Sequence, residues 1–189
     1  MTLLNDDEVK LVRKLVRTCL CWLAVLGYSA SLYANPVLDT IVSGNVAVQQ
    51  TPTQTTVNQT SQQAIIRWDS FNINHNESTH FQQPAGGVAL NRINPAQGPS
   101  SIYGRLTATG QVILVNPAGI FFGPTAYVNV GGLIASTADI SDQNFLNGNY
   151  HFLGSPTDGS VINQGTIIAM NHGLVALLGN GVRNDGYIE

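Results

Sequence analysis

Residues 161–167 are Val-Ile-Asn-Gln-Gly-Thr-Ile, and residues 182–188 are Val-Arg-Asn-Asp-Gly-Tyr-Ile. Valine, asparagine, glycine and isoleucine each recur at one constant interval, that from residue 161 to residue 182. Three short strands with their turns fit this interval at about 3.3 Å per residue, which suits one coil of a parallel β-solenoid. The repeat therefore predicts stacked coils with Val, Ile and Leu inside and with Asn and Gly at the corners. An antiparallel sandwich with two hairpins that are similar by chance is the alternative.

Short runs rich in Val and Ile, bounded by Gly, Asn, Pro or Ser, are typical of strands. The predicted strands are residues 41–48, 64–68, 111–115, 126–130, 133–135, 166–170 and 174–178. A weaker copy of the repeat at residues 130–135 aligns with residues 163–169 if one residue is inserted. On this alignment residues 139–154 are an excursion from the coil. Residues 141–146 could form one short helix, and residues 99–103 a single turn.

Residues 1–34 have the composition of a targeting segment. Four of the eight basic residues lie in the first seventeen positions, an apolar run follows at residues 20–26, and small residues lead to Ala34. This order is typical of a secretory signal peptide, and the apolar run is shorter than the about 20 residues of a membrane-spanning helix. We predict an extended signal peptide over residues 1–34, handled by the Sec export machinery and cleaved between Ala34 and Asn35. Cleavage after Ala30, or an N-terminal helix of the folded protein, are the alternatives.

The rest of the chain has few charges. Residues 35–189 contain four arginines, no lysine and eight acids, so their formal charge is −4. A surface without clustered basic residues does not suit a phosphate backbone, so nucleic acid is not an expected partner. Both cysteines, Cys19 and Cys21, lie in the predicted signal peptide, so no disulfide is expected in residues 35–189. No Ser- and Gly-rich linker divides these residues, and we predict one domain.

Two series of motifs resemble a known family. The first is Trp-Asp-Ser-Phe-Asn-Ile at 68–73, Phe-Gln-Gln-Pro at 81–84 and Val-Ala-Leu-Asn-Arg-Ile at 88–93. The second begins with Ile-Tyr-Gly-Arg-Leu at 102–106 and Gly-Gln-Val-Ile-Leu-Val at 110–115. It continues with Asn-Pro-Ala-Gly-Ile-Phe-Phe-Gly at 116–123 and Val-Asn-Val-Gly-Gly-Leu-Ile-Ala-Ser-Thr at 128–137. In this order, over residues 35–189, they resemble the N-terminal two-partner secretion domain of the filamentous haemagglutinin family.

The resemblance implies an all-β fold, a right-handed parallel β-helix with excursions from its coil. It also implies passage through the periplasm of a Gram-negative cell to a secreted or cell-surface location. In the periplasm, the periplasmic domains of an outer-membrane β-barrel transporter would recognise the chain. Family domains usually run some tens of residues longer and precede a long adhesin, haemolysin or toxin region. Residues 35–189 are therefore expected to be truncated at the C-terminus, and contact with a host glycan or cell surface is expected through a longer parent protein.

The family's Asn-Pro-Asn-Gly-Ile motif maps onto Asn116, Pro117, Ala118, Gly119 and Ile120, with Ala118 in place of the commoner Asn. Pro117 suits the first central position of a tight turn, Asn116 can cap that turn, and Gly119 can adopt a positive φ before Ile120 re-enters the core. We predict that the transporter recognises this turn motif. A role in shaping the corner alone is the alternative. A second family motif, Asn-Pro-Asn-Leu, has only an imperfect counterpart at residues 94–97.

Other candidate chemistry is weak. His75, Glu77 and His80 do not have the spacing of a zinc-binding helix, so no metal or cofactor is expected. The acids are scattered along the chain, and Asp139 and Asp142 are expected to cap a turn rather than to pair. The predicted function is therefore a non-catalytic secretion signal and folding nucleus of an exported adhesin or haemagglutinin-type protein. A polysaccharide-active enzyme on the same fold and a self-standing carbohydrate-binding adhesin are the alternatives.

Overall fold

The structure, a computed structural model, describes residues 35–155 and 158–189. The predicted signal peptide, with Ala34, lies outside these residues. The described chain contains one short helix, α1 (Asp142–Leu146), and one 3-10 turn, Pro95–Gln97. Its strands in chain order are β1 (Val37–Ser43), β2 (Val46–Gln50), β3 (Gln54–Gln59), β4 (Gln63–Ser70), β5 (Ser78–Gln82), β6 (Val88–Ile93), β7 (Ser100–Ile102), β8 (Arg105–Ala108), β9 (Gln111–Val115), β10 (Ile120–Phe122), β11 (Tyr127–Val130), β12 (Gly132–Ser136), β13 (Ser160–Asn163), β14 (Thr166–Ala169), β15 (Val175–Leu178), β16 (Gly181–Asn184) and β17 (Tyr187–Ile188).

These strands form three sheets along the length of a solenoid. The six-stranded sheet has the order β1-β4-β6-β9-β12-β15, the four-stranded sheet β16-β13-β10-β7, and the seven-stranded sheet β17-β14-β11-β8-β5-β3-β2. From β3 onward consecutive strands lie in different sheets, and each pairs in parallel with its equivalent in a neighbouring coil. The predicted β-solenoid is confirmed, and the antiparallel sandwich is excluded.

The sequence repeat is a pair of stacked coils. Strand β13 pairs with β16 so that Asn163 lies opposite Asn184, and the buried Asn163 side chain donates to Asn184 Oδ1 over 2.8 Å. The weaker copy was wrongly aligned, because Leu133 pairs with Val175 and it is Tyr127 that lies opposite Thr166. Strands of different sheets share the same apolar pattern, so the pattern does not tell which sheet a strand joins.

Aromatic side chains fill the interior near the first coils. Trp68 contacts Phe71 edge-on, with ring centroids 5.4 Å apart, and both rings are buried. The indole nitrogen of Trp68 donates to Asn91 Oδ1 over 2.9 Å, so its one polar atom is satisfied. The coils also stack closely at their corners. A Cβ at Gly110 would lie 2.3 Å from the carbonyl oxygen of Gly87, so only glycine permits that approach.

The first two strands run antiparallel to the coil beneath them. Strand β1 pairs with β4 and β2 pairs with β3, and Leu38 and Val48 pack against the main core. The single strand predicted for residues 41–48 is wrong, because the chain turns at Gly44, which has a φ of 91°. Together β1 and β2 cover this end of the solenoid.

Between β12 and β13 the chain leaves the coil, and this predicted excursion is confirmed. Helix α1 forms where a helix was predicted, and its N-cap Ser141 accepts from the Asn144 amide over 3.2 Å. Phe145 packs on the outer face of the six-stranded sheet in a second apolar cluster with Leu90 and Ile113. That sheet is therefore apolar on both faces, which explains the unbroken apolar run of β9.

One predicted turn is wrong. Residues 99–103 contain β7, which pairs in parallel with β10, and the turn lies just before it at Pro95–Gln97. Both serines of this segment belong to the strand: Ser100 is buried and Ser101 is half-buried on the outer face. Within the described ranges no helix is long and apolar enough to cross a membrane.

Candidate functional site

The turn at residues 116–119 joins β9 to β10 at a corner of the coil. The Gly119 amide donates to the carbonyl oxygen of Asn116 over 2.9 Å, with Pro117 and Ala118 in the central positions. Asn116 Oδ1 accepts from the Ala118 amide over 3.0 Å, and Gly119 has a φ of 122°. The side chain of Asn116 therefore caps a tight turn that only glycine closes without strain.

Asn116 also ties neighbouring coils together. Its side-chain amide donates to the carbonyl oxygen of Gly98 over 3.1 Å and to Ser100 Oγ over 3.0 Å, both in the preceding coil. Its backbone amide donates to the carbonyl oxygen of Ser136 in the following coil over 3.0 Å. The residue has no exposed surface. Removing its side chain would deprive three polar groups of this partner, one of them on the buried Ser100.

A second turn of similar sequence lies at the same corner one coil earlier. Asn94 Oδ1 accepts from the Ala96 amide over 3.1 Å, and Gly98 ends the turn with a φ of 85°. This is the only side-chain hydrogen bond that Asn94 makes with another described residue. The stacking of the two turns was not predicted, although Asn-Pro-Ala occurs both at 94–96 and at 116–118.

The five residues of the predicted motif differ in accessibility. Asn116, Gly119 and Ile120 are buried, whereas Pro117 and Ala118 are half-buried. A partner that meets the folded domain can therefore touch only Pro117 and Ala118. In the folded state the side chain of Asn116 contacts the turn and the preceding coil.

A cavity of about 430 Å³ lies beside the two turns, and Pro95 and Pro117 form part of its wall. The acids were expected to be scattered, which is wrong for three of them. Antiparallel pairing places β1 beside β4, and the excursion returns to the six-stranded sheet, so charges that are distant in sequence line one cavity. The charged residues of its wall are Asp39, Arg67, Asp69, Arg92 and Asp139.

Arg92 holds the excursion to the coil. Its Nε donates to Asp139 Oδ1 over 2.8 Å, and its other nitrogens bind Asp142 and the carbonyl oxygen of Ile140. The side chain is 14% exposed. Burial disfavours the charge, but the hydrogen bonds and charges of Asp139 and Asp142 outweigh burial and raise the pKa of Arg92 above its usual value. Asp139 and Asp142 therefore meet at this cation, while Asp139 also accepts from the Ile140 amide.

Arg67 lies beside Arg92 in the adjacent parallel strand and is exposed. Asp39 and Asp69 are exposed as well. None of these three side chains forms an ion pair with another residue in the described part of the chain. The cavity thus combines one arginine that is ion-paired to two carboxylates with three charged side chains that are open to solvent.

His75, Glu77 and His80 do not face one another around a common metal site. Glu77 Oε2 accepts from the Asn74 amide over 2.8 Å, and His80 Nδ1 lies 2.8 Å from Thr107 Oγ1 on the seven-stranded sheet. His75 is exposed. Among residues 35–155 and 158–189 there is no group of three His, Cys, Asp or Glu side chains placed to hold a metal ion.

A family model described as the TPS secretion domain matches residues 35–189. Two proteins of Haemophilus influenzae, each named heme/hemopexin-binding protein, are both 36% identical to the chain. One alignment spans 174 residues, 86% of this chain and 19% of the relative. The other spans 126 residues, 66% of this chain and 14% of the relative. The crystal structure of the HMW1 secretion domain from Haemophilus influenzae superposes with a TM-score of 0.74 and 31% identity, covering 82% of this chain and 42% of that one.

Proposed function

Because the chain belongs to the TPS secretion domain family, whose members are exported proteins, we propose that it is the export signal and folding nucleus of a larger secreted protein. In this proposal the domain performs no catalysis. A partner outer-membrane β-barrel transporter recognises it through periplasmic domains. The chain reaches the periplasm through the Sec machinery with residues 1–34 as signal peptide, cleaved between Ala34 and Asn35. The coil is right-handed, the hand of nearly all parallel crossovers.

The observation that supports recognition at residues 116–120 is the contrast between a fixed base and an accessible tip. Asn116 is fully buried and bound to the coils on both sides, whereas Pro117 and Ala118 reach the surface. A turn held in this way presents its tip in one conformation, which lowers the entropy lost when a partner binds. A strand of the transporter's periplasmic domain adding to the coil is a suitable mode of contact.

The test compares the turn at residues 116–119 with a corner of the coil that lies away from the cavity. Replacing Asn116 and Pro117 together with Ala is expected to lower the secreted fraction by more than the loss of melting temperature explains. The matched control replaces Gln83 and Pro84 with Ala, because Gln83 is also a buried amide bound to a neighbouring coil and neither residue lines the cavity beside the turns. Secretion would be followed in cells that contain the transporter, and melting by circular dichroism of purified chains. Wild-type secretion of the Asn116 and Pro117 variant would leave these residues with a structural role only.

We propose that the parent protein binds its target through a region outside this chain. This chain spans about a fifth of the length of its relative named heme/hemopexin-binding protein. We propose an adhesin or haemagglutinin-type parent whose contacts with a host glycan or cell surface lie in the remaining length. Binding of the full chain to a glycan panel should therefore be negligible, and strong binding would favour a self-standing adhesin.

The cavity of five charged residues favours a second candidate, a polysaccharide-active enzyme. Three carboxylates line this cavity, and hydrolysis of a sugar chain commonly uses a pair of carboxylates. Asp139, however, is bound to Arg92, which keeps it from acting as a free acid or base. Incubation with polygalacturonate tests this candidate. We expect no shortened products, and their appearance with the wild type but not with Asp69→Asn would establish an enzyme.

A further inference from the structure

The charges around the cavity beside the two turns do not balance. Arg92 is surrounded by two carboxylates, Asp139 and Asp142, so this group has a formal charge of −1. The remaining charged residues of the wall are Asp39, Asp69 and Arg67, which add another −1. Because the last three are exposed and unpaired within the described chain, a ligand can reach their charges with little loss of hydration.

We propose that this cavity receives a cationic side chain, Arg or Lys, from a segment of the transporter's periplasmic domain. The proposal rests on the proposed function, because it names the surface beside residues 116–120 that the same transporter occupies. Pro117 belongs both to the accessible tip of the turn and to the wall of the cavity. One partner segment can therefore touch the turn and fill the cavity together.

The shape of the wall fits a long cationic side chain. Pro95 and Pro117 offer apolar surface on one side, and Asp39 and Asp69 offer carboxylates from β1 and β4. Arg and Lys side chains commonly lay their aliphatic stems along apolar surface while their charged ends reach polar groups. A guanidinium can bind a carboxylate with two parallel hydrogen bonds, so Arg is the better match of the two.

An anionic segment fits less well. The nitrogens of Arg92 are already bound to Asp139, Asp142 and the carbonyl oxygen of Ile140. Arg67 alone would have to attract the anion against the unpaired Asp39 and Asp69. A cationic occupant, by contrast, meets the net negative charge of the wall, and Arg67 then opposes it. The proposal therefore predicts opposite effects for the acids and for Arg67.

The experiment measures Kd between the full chain and the purified periplasmic domains of the transporter that secretes it, at low and at physiological ionic strength. Asp39→Asn with Asp69→Asn should weaken binding about fivefold to tenfold at low salt and reduce its salt dependence, as expected for one or two exposed ion pairs. Arg67→Gln should tighten binding about twofold to threefold. Melting temperatures should stay at the wild-type value, because these side chains form no ion pair with another described residue.

The matched control is Asp185→Asn with Glu189→Gln, which changes the net charge equally at the last coil and should leave Kd unchanged. Equal weakening by the control, wild-type binding by the Asp39 and Asp69 variant, or tighter binding by that variant with weaker binding by Arg67→Gln would each overturn the cavity proposal. The last pattern would identify an acidic occupant. If the wild-type chain does not bind the periplasmic domains at all, the proposed function itself fails and the cavity proposal falls with it.

Discussion

The two turns share the sequence Asn-Pro-Ala and occupy the same corner, yet they differ in the contacts that they make. Asn94 is half-buried and caps its own turn, whereas Asn116 is buried and also binds Gly98 and Ser100 of the preceding coil. The cause lies in the coil beneath. The four-stranded sheet begins with β7, so the turn at Asn116 stacks on a coil that contains a strand of this sheet, whereas no described strand of this sheet precedes the turn at Asn94. The contribution of a motif to stability therefore depends on the coil that it stacks on.

The largest expected difference is between the two asparagines. Asn116→Ala should lower the free energy of unfolding by about 3 kcal/mol, because the Ala118 amide, the Gly98 carbonyl and Ser100 Oγ lose a buried partner. Asn94→Ala removes one turn cap and should cost about 1 kcal/mol. Urea denaturation of the two variants measures both values. Equal losses would show that contacts between the coils add nothing to the cap.

The glycines that end the two turns should differ less. Both have a positive φ, so alanine is strained at either position. A Cβ at Gly119 would also lie 3.1 Å from the carbonyl oxygen of Ser160 in the next coil, whereas nothing lies within 4 Å of one at Gly98. We expect losses of about 2 kcal/mol for Gly119→Ala and about 1 kcal/mol for Gly98→Ala. A larger loss at Gly98, by thermal or urea unfolding, would contradict this order.

A double-mutant cycle isolates one bond between the coils. Ser100→Ala combined with Asn116→Ala should give a coupling of about 1 kcal/mol, because Asn116 donates to Ser100 Oγ over 3.0 Å. Ser101→Ala, one residue along the same strand and on its outer face, is the control and should change stability by less than about 0.5 kcal/mol. Strict additivity of the Ser100 and Asn116 changes would show that this bond does not contribute.

The smallest expected effect is at the third position of each turn. Ala118 is half-buried and Ala96 is exposed, so replacing either with Asn should change the unfolding free energy by less than about 0.5 kcal/mol. Ala118→Asn introduces the residue that is commoner in the family. Secretion would be measured beside stability. A change in export with unchanged stability would mean that the transporter contacts this side chain, and unchanged export would limit its contacts to the backbone or to Pro117.

Local chemistry allowed part of this site to be predicted. Pro and Gly at the second and fourth positions predict a tight turn, and Asn at the first predicts a cap, which the bond from the Ala118 amide provides. The partners Gly98 and Ser100 are distant from Asn116 in sequence and belong to another coil, so no local rule predicts them. The recognition role of Asn116, Pro117, Ala118, Gly119 and Ile120 remains a prediction for the experiments above.

For the fold as for the site, local features could be predicted and contacts between distant residues could not. Short runs rich in Val and Ile predicted several of the strands, and the repeated Asn163 and Asn184 gave the register of β13 on β16. The boundary at Gly44 was missed because apolar residues lie on both sides of it, and a positive φ does not alter the apolar pattern. The charged cavity was missed for a different reason. Asp39, Asp69 and Asp139 meet through antiparallel pairing of β1 and through the return of the excursion, which are tertiary features without a signal in neighbouring residues.

The excursion sets a time order for folding. Before it, each strand from β3 onward pairs with a partner one short coil further along, as Val88 does with Gln111. Across it, Leu133 pairs with Val175, which lies nearly twice as far along the chain. Closing a loop of twice the length costs only about 0.6 kcal/mol more. Any delay in adding the last coils therefore comes from the time that the excursion takes to arrive, and the cost of loop closure contributes little. A chain supplied from its N-terminus can add each early coil soon after the last, but it must wait for the whole excursion to arrive before β13 and β15 can dock. For a chain supplied in this way we therefore expect the first coils and the last to form as two successive events, separated by a pause whose length the excursion determines.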